Sequence, residues 1–403
     1  MKSALPHKPL RVLIVSEFPY KGNIVGGVQS AVQILAEALS KLSAVEKVLV
    51  MSFNTEIDSD NVEQWNDKLT VHQVAGQRRL SLPTSSFYDF LKGKKIADAF
   101  RPDIVHGQGT GAHGDVASRL GYPNVMTIHG VGSFEAELRE RKNKFIGPIR
   151  IWLTKRMINR GLQNTDAVIS ISEFDRHFCS RIGKSKVIGI PNAVRQEFFD
   201  EAESTSDSMH IIFAGLVIVR KNVAGIVRAF AKVKEQVPEA ILDIAGPSPD
   251  KAYHEEVLRN ITPQTRDAIR FHGNMSGPEL STLMKAASVS VLFSIYENLP
   301  VAIAEALALG KPVVSSRVGA VGEMIDDGVN GFLVESGNEE MLAEHLIRLL
   351  TDRQLRCEMG RKGRELARKK WTPASVAAAT VDAYHSVLDA SPHSNNGQGG
   401  TTS

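Results

Sequence analysis

Two carboxylates eight residues apart, Glu297 and Glu305, frame the stretch with the most chemistry in the chain, Ser294 to Ser316, SIYENLPVAIAEALALGKPVVSS. The residues between them spell a helix. Pro300 suits the first helical position, where a missing N–H costs nothing. Gly310 suits the left-handed cap after the last turn, and Pro312 forbids continuation. Val301 to Leu309 is apolar all round apart from Glu305, so the helix should be buried. A buried carboxylate without a partner is costly, so Glu305 needs a ligand, a cation or a hydroxyl. Glu297 closes the apolar run Val289 to Phe293 just before the helix begins. The helix start exposes N–H groups and positive potential, which suits a phosphate. The bland alternative, on spacing alone, is that Glu305 is a core residue bonded to backbone and Glu297 a solvated loop charge.

Other chemistry-bearing residues sit at comparable positions. His129 ends the run NVMTIHG. Arg220 and Lys221 lie in GLVIVRKN, Gly215 to Asn222. Gly26 and Gly27 lie in the loop FPYKGNIVGGV. In open α/β sheets ligands bind beyond the carboxyl ends of strands, and each of these groups follows a strand-like run. A histidine there can donate to a sugar hydroxyl or to developing charge.

The elements that must hold these residues alternate. Strands are expected at Arg11 to Ser16, Val48 to Ser52, Leu69 to Val74, Ile104 to His106, Val125 to His129, Ala167 to Ser170 and Val187 to Ile190. The alternation restarts at His210 to Ala214, Ile241 to Ala245, Ile269 to His272, Val289 to Phe293, Pro312 to Ser315 and Phe332 to Val334. With helical patterns between most of them, this means an α/β architecture of doubly wound parallel sheets. The first helix should run from Gln29 to Lys41. The spacing Gly22-x3-Gly26-Gly27 does not match a dinucleotide-binding fingerprint. The 403 residues divide into a domain over 1–200, a second over 201–371, a helix over 372–389 returning to the first, and a disordered tail over 390–403. Glu197 to Met209 turns acidic and serine-rich, as an exposed linker would.

Composition narrows the function classes. Lys plus Arg is 48 against 45 Asp plus Glu, a net charge of +3, too balanced to indicate nucleic acid. Cys179 and Cys357 make no disulfide framework and fit a reducing, cytoplasmic compartment. The N-terminal apolar run is too short for a signal peptide, and no stretch of 18 apolar residues could span a bilayer. Charge is concentrated in one place. Arg139 to Arg160 holds eight basic residues and one acid, with Phe145, Ile149, Ile151, Trp152 and Met157 interleaved. Such a segment suits the inner face of an anionic membrane, or else a solvated basic face or a phosphorylated acceptor.

The Glu297-Asn-Leu-Pro-Val-Ala-Ile-Ala-Glu305 stretch resembles the Glu-x7-Glu signature of retaining glycosyltransferases of family 4, whose fold is GT-B. The resemblance spans roughly Leu10 to Leu388. It implies two Rossmann-like domains facing across a cleft, and transfer of a hexose or N-acetylhexosamine from a nucleotide-sugar to a hydroxyl of a glycan or lipid-linked acceptor. Glu297 would hold hydroxyls of the donor sugar and Glu305 the ribose. N–H groups near Val301 and Ala302 would hold phosphate, flanked by Asn298 and Leu299. GLVIVRKN resembles the family's Gly-Arg-Leu-x3-Lys-Gly loop, with Leu216 at the arginine position and Arg220 beside Lys221. These two cations would neutralise a leaving diphosphate with no metal or other cofactor. His129-Gly130 resembles the His-Gly that reaches the sugar, and Gly26-Gly27 the glycine pair beside donor and acceptor. Asn274 and Met275, in FHGNM, resemble the segment near the base. Ile190-Pro191-Asn192 resembles the family's Pro-Asn-Gly, with Ala193 and Arg195 replacing a glycine and an acid. Asp58-x-Asp60, a metal motif in the other glycosyltransferase fold, reads here as a solvated loop. A GT-B epimerase or nucleotide-sugar hydrolase, and a non-catalytic sugar-nucleotide binding module, are the alternatives.

Overall fold

Strand β1, Leu10–Val15, shows how the first sheet is built. Leu10, Val12 and Ile14 point to one face and Leu13 and Val15 to the other, and each set joins its own core. A strand buried on both faces reads as a continuous apolar run, and such strands pair in parallel between layers of helices. The computed structural model describes residues 8–20, 27–76, 86–130, 147–179, 186–200 and 207–390.

The chain divides into two units, 1–193 with 373–403, and 194–372. The first adds β2 Val45–Asn54, β3 Asn61–Gln64, β4 Leu69–Ala75, β5 Ile104–Gln108, β6 Asn124–Ile128, β7 Ala167–Ser170 and β8 Lys186–Gly189, in the order β3-β4-β2-β1-β5-β6-β7-β8. Every pairing is parallel except β3 with β4. Strand order reverses beside β1. The Gly27–Lys41 and Pro373–Leu388 helices pack together on one face, the second bringing Tyr384 fully into the core. Pro373 opens that helix, as its fixed φ favours.

The second unit holds β9 His210–Ala214, β10 Ile241–Ala245, β11 Ile269–Gly273, β12 Val289–Leu292, β13 Val313–Ser316 and β14 Gly331–Val334, all parallel, in the order β11-β10-β9-β12-β13-β14. Its order reverses between β9 and β12, so the loops leaving these two strands share the switch point where ligands of such sheets bind.

Several expectations shift. The boundary falls at Val194, ahead of residue 201, because the short Glu197–Asp200 helix buries Phe198 and Phe199 in the second unit's core. Glu197 to Asp200 is therefore structured, where an exposed linker was expected; residues 201–206 of that segment lie outside the described residues. Strand β3 was not anticipated: Asn-Val-Glu-Gln is an exposed, antiparallel edge with too little apolar alternation to announce itself. Pro300 sits one residue before the helix, at φ −71° and ψ 114°, and the helix runs Val301–Ala308. Gly310 does take the left-handed cap, at φ +72°. The tail 391–403 lies outside the described residues.

Candidate active site

Lys221 and Arg220 follow β9, and Glu297 follows β12, so the switch point brings together groups 76 residues apart. The Lys221 ammonium donates to Glu297 Oε1 at 2.5 Å, and Arg220 Nη1 to Oε2 at 3.1 Å. Ser294 Oγ donates to Oε1 at 2.6 Å. With Glu297 only 4% exposed, these partners offset the desolvation of its charge. Burial pulls the Lys221 pKa down, and the adjacent carboxylate opposes this.

The loop that carries Glu297 is tied on every side. Ile295 N–H donates to the Arg220 carbonyl at 2.8 Å, Ser316 Oγ to the Ser294 carbonyl at 2.6 Å, and Ala320 N–H to the Asn298 carbonyl at 3.1 Å. Gly319, at φ +53°, lies so close beneath the Glu297 carbonyl that any Cβ there would collide with it. Asn222 follows Lys221 at φ +49°, a left-handed conformation that asparagine tolerates and glycine adopts freely. It stands where the resembling loop has glycine. Its side chain also accepts from Gly225 N–H, capping the Val223–Gln236 helix.

The Val301–Ala308 helix is buried from Ile303 onward, while Val301 and Ala302 are half-buried. Ile303 N–H already bonds the Pro300 carbonyl at 3.1 Å. The amides of Val301 and Ala302 have no helical carbonyl one turn back to reach. They are therefore the donors at the helix start that helical pairing does not use. Asn298 is buried, and half-buried Leu299 and Ala302 pack on the core. Glu305, 6% exposed, faces the Arg195 guanidinium at 3.4 Å. Burial raises the Glu305 pKa and Arg195 lowers it. The two carboxylates thus share no partner: Glu297 belongs to the cation pair after β9, and Glu305 to Arg195.

After β11, Asn274 is exposed, and Met275 packs partly on the core. Leu216, at the resembling loop's arginine position, presents no cation; Arg220 reaches Glu297 together with Lys221. Gly27 opens its helix with nothing within 4 Å of an added Cβ; Gly26 lies outside the described residues. In the first unit His129 is half-buried after β6, with Nε2 2.7 Å from Gln108 Oε1. Burial lowers its pKa to about 4, so the ring is neutral near pH 7. Asp60 is exposed and accepts from Ala75 N–H at 2.9 Å, a strand-edge role. Ser294 and Gln108 were given no role in the sequence. Only Arg195 carried a signal, as a basic residue where the resembling pattern has an acid.

Two family models match the chain: Glycosyltransferase Family 4 over residues 25–198 and Glycosyl transferases group 1 over 194–366. The chain belongs to glycosyltransferase family 4. Among curated relatives of this family 4 enzyme, the D-inositol 3-phosphate glycosyltransferase of an Arthrobacter species is 26% identical, over 93% of each chain. Sucrose-phosphate synthase of Thermosynechococcus elongatus superposes with a TM-score of 0.76 at 20% identity, covering 95% of this chain and all of that one. Anabaena HepE, solved in complex with UDP-glucose, gives 0.71 at 18% identity, over 94% and 100%. These likenesses establish the GT-B fold, and family membership makes the chain a glycosyltransferase.

Proposed function

We propose that this enzyme transfers a hexose or N-acetylhexosamine from a nucleotide-sugar to a hydroxyl of a glycan or glycolipid, with retention at the anomeric carbon. The observation that carries the reading is the cation pair Arg220 and Lys221 converging on Glu297 beside the helix start at Val301 and Ala302. As the bond to the diphosphate breaks, negative charge grows on the leaving phosphate. Two cations and two amide N–H groups suit that charge without a metal. Glu297 accepts from sugar hydroxyls and Glu305 from the ribose. No protein nucleophile is proposed; the leaving phosphate assists attack on the face it departs from. That HepE was solved with UDP-glucose supports a nucleotide-sugar donor here.

Incubating the protein with UDP- and GDP-sugars and simple glycoside acceptors, with and without EDTA, tests this. Nucleotide release requiring acceptor, an axial or equatorial product linkage matching the donor, and indifference to EDTA are expected. An inverted product, or release that needs a divalent cation, overturns the mechanism.

The acceptor side is proposed to lie on an anionic lipid surface at the inner face of a membrane. In the Gly147–Gln163 helix, Ile149 and Trp152 are 62% and 57% exposed, and Arg156 lies over the Trp152 ring at 5.5 Å. Arg160 is committed instead to Asp115, bidentate at 2.7 and 2.6 Å. No described helix is long and apolar enough to cross a membrane.

A further inference from the structure

Arg195 stands where the resembling pattern carries an acid, and its surroundings are built for it. The guanidinium lies over the ring of fully buried Phe198, 5.6 Å from the centroid, with Glu197 3.5 Å from its Nε. Gly277 opens the helix opposite, and a Cβ there would collide with both Arg195 and Glu197. An aromatic face and a carboxylate thus border the arginine, and its Nη2 reaches Glu305 Oε1 at 3.4 Å.

We infer that Arg195 is a positioning residue for nucleotide binding: by holding one oxygen of Glu305 it orients the carboxylate so that the other can accept from a vicinal diol. This rests on the assignment of Glu305 to the ribose. Burial pushes Glu305 toward the neutral acid, which would surrender an acceptor, and the positive charge of Arg195 opposes that. In this reading the guanidinium acts through the carboxylate, not on the nucleotide. A ribonucleotide and its dideoxy analogue should therefore respond differently to its loss.

Calorimetric titration with UDP, GDP and ADP identifies the tightest of the three, and that nucleotide and its 2′,3′-dideoxy form are then titrated against Arg195→Gln, Arg195→Lys and Glu305→Gln at pH 6 and pH 8. Arg195→Gln is expected to weaken the ribonucleotide by about tenfold, more at pH 6 than at pH 8, because the unpaired carboxyl holds its proton to higher pH. The dideoxy form should be unaffected, and Arg195→Lys should restore much of the loss. If Glu305→Gln weakens the ribonucleotide while Arg195→Gln changes only the melting temperature, Arg195 is structural and the inference fails alone. If Glu305→Gln binds both nucleotides as the parent does, the ribose assignment fails and takes the inference with it.

Discussion

Glu297 is 4% exposed yet keeps three donors, Lys221, Arg220 and Ser294, whereas Glu305 has one at longer range. The same residue type thus sits in two environments: Glu297 between two cations and a hydroxyl, and Glu305 where burial raises the pKa and Arg195 opposes the rise. Burial also acts on three histidines of the first unit, lowering His106 to about 3 and His113 and His129 to about 4. Unfolded histidines bind protons below about pH 6.5, and these folded ones resist, so acid favours the unfolded chain. Stability should be full above pH 6.5 and fall as pH drops toward 4, by up to about 1.4 kcal/mol per unit for each such group. Denaturant titrations of the parent and His113→Gln at pH 7, 6 and 5 check this. The variant should lose less on acidification, and equal slopes would refute the assignment. The individual residues were legible where their types were unusual for their surroundings: Glu305 in an apolar helix, Lys221 beside Arg220. Their partners were not, since nothing in the local sequence links residue 221 to 297 or 195 to 305.

Elements positioned by turn chemistry were read more readily. The Val301–Ala308 helix ends at a glycine with positive φ before a proline, as its sequence requires. Its start was misplaced by one residue because Pro300 serves in the extended conformation as well as in the first turn. Largely apolar runs gave β7, β9 and β10 to the residue, whereas polar β3, having one apolar side chain, gave no signal. The loop after β12 depends on a tight approach that sequence does not display, Gly319 under the Glu297 carbonyl. Gly319→Ala should cost at least about 2 kcal/mol through strain and collision, and should displace Glu297. Thermal melting and nucleotide release both report it. A variant with parental melting temperature and turnover would show that the loop does not need this packing.

The whole molecule pairs two doubly wound sheets, each with its own core, and the chain returns from the second unit to the first in its last helix. Restarted strand–helix alternation made this architecture readable, but the boundary moved because two phenylalanines in an acidic stretch, Phe198 and Phe199, are core residues. At this scale charge is uneven: +3 in all, yet eight basic residues against one acid between 139 and 160. Residues 139–146 lie outside the described residues, while the Gly147–Gln163 helix carries the exposed Ile149 and Trp152. Vesicles rich in anionic lipid should retain the protein at low salt and release it as salt rises, each nearby cation contributing about 1 kcal/mol. Arg139, Arg141, Lys142 and Lys144 changed together to Glu should abolish retention in a sedimentation assay. Retention unchanged by that charge reversal would remove the membrane from the account.

The most direct measurement is turnover by Glu297→Gln and Glu297→Ala on a donor and acceptor that the parent uses, with folding followed by circular dichroism. The glutamine keeps the shape between Lys221, Arg220 and Ser294, so its fold should persist while nucleotide release falls by about a thousandfold, as when preorganised charge is lost from a transition state. Near-parental turnover in a folded Glu297→Gln protein would contradict the assignment of this carboxylate to the sugar.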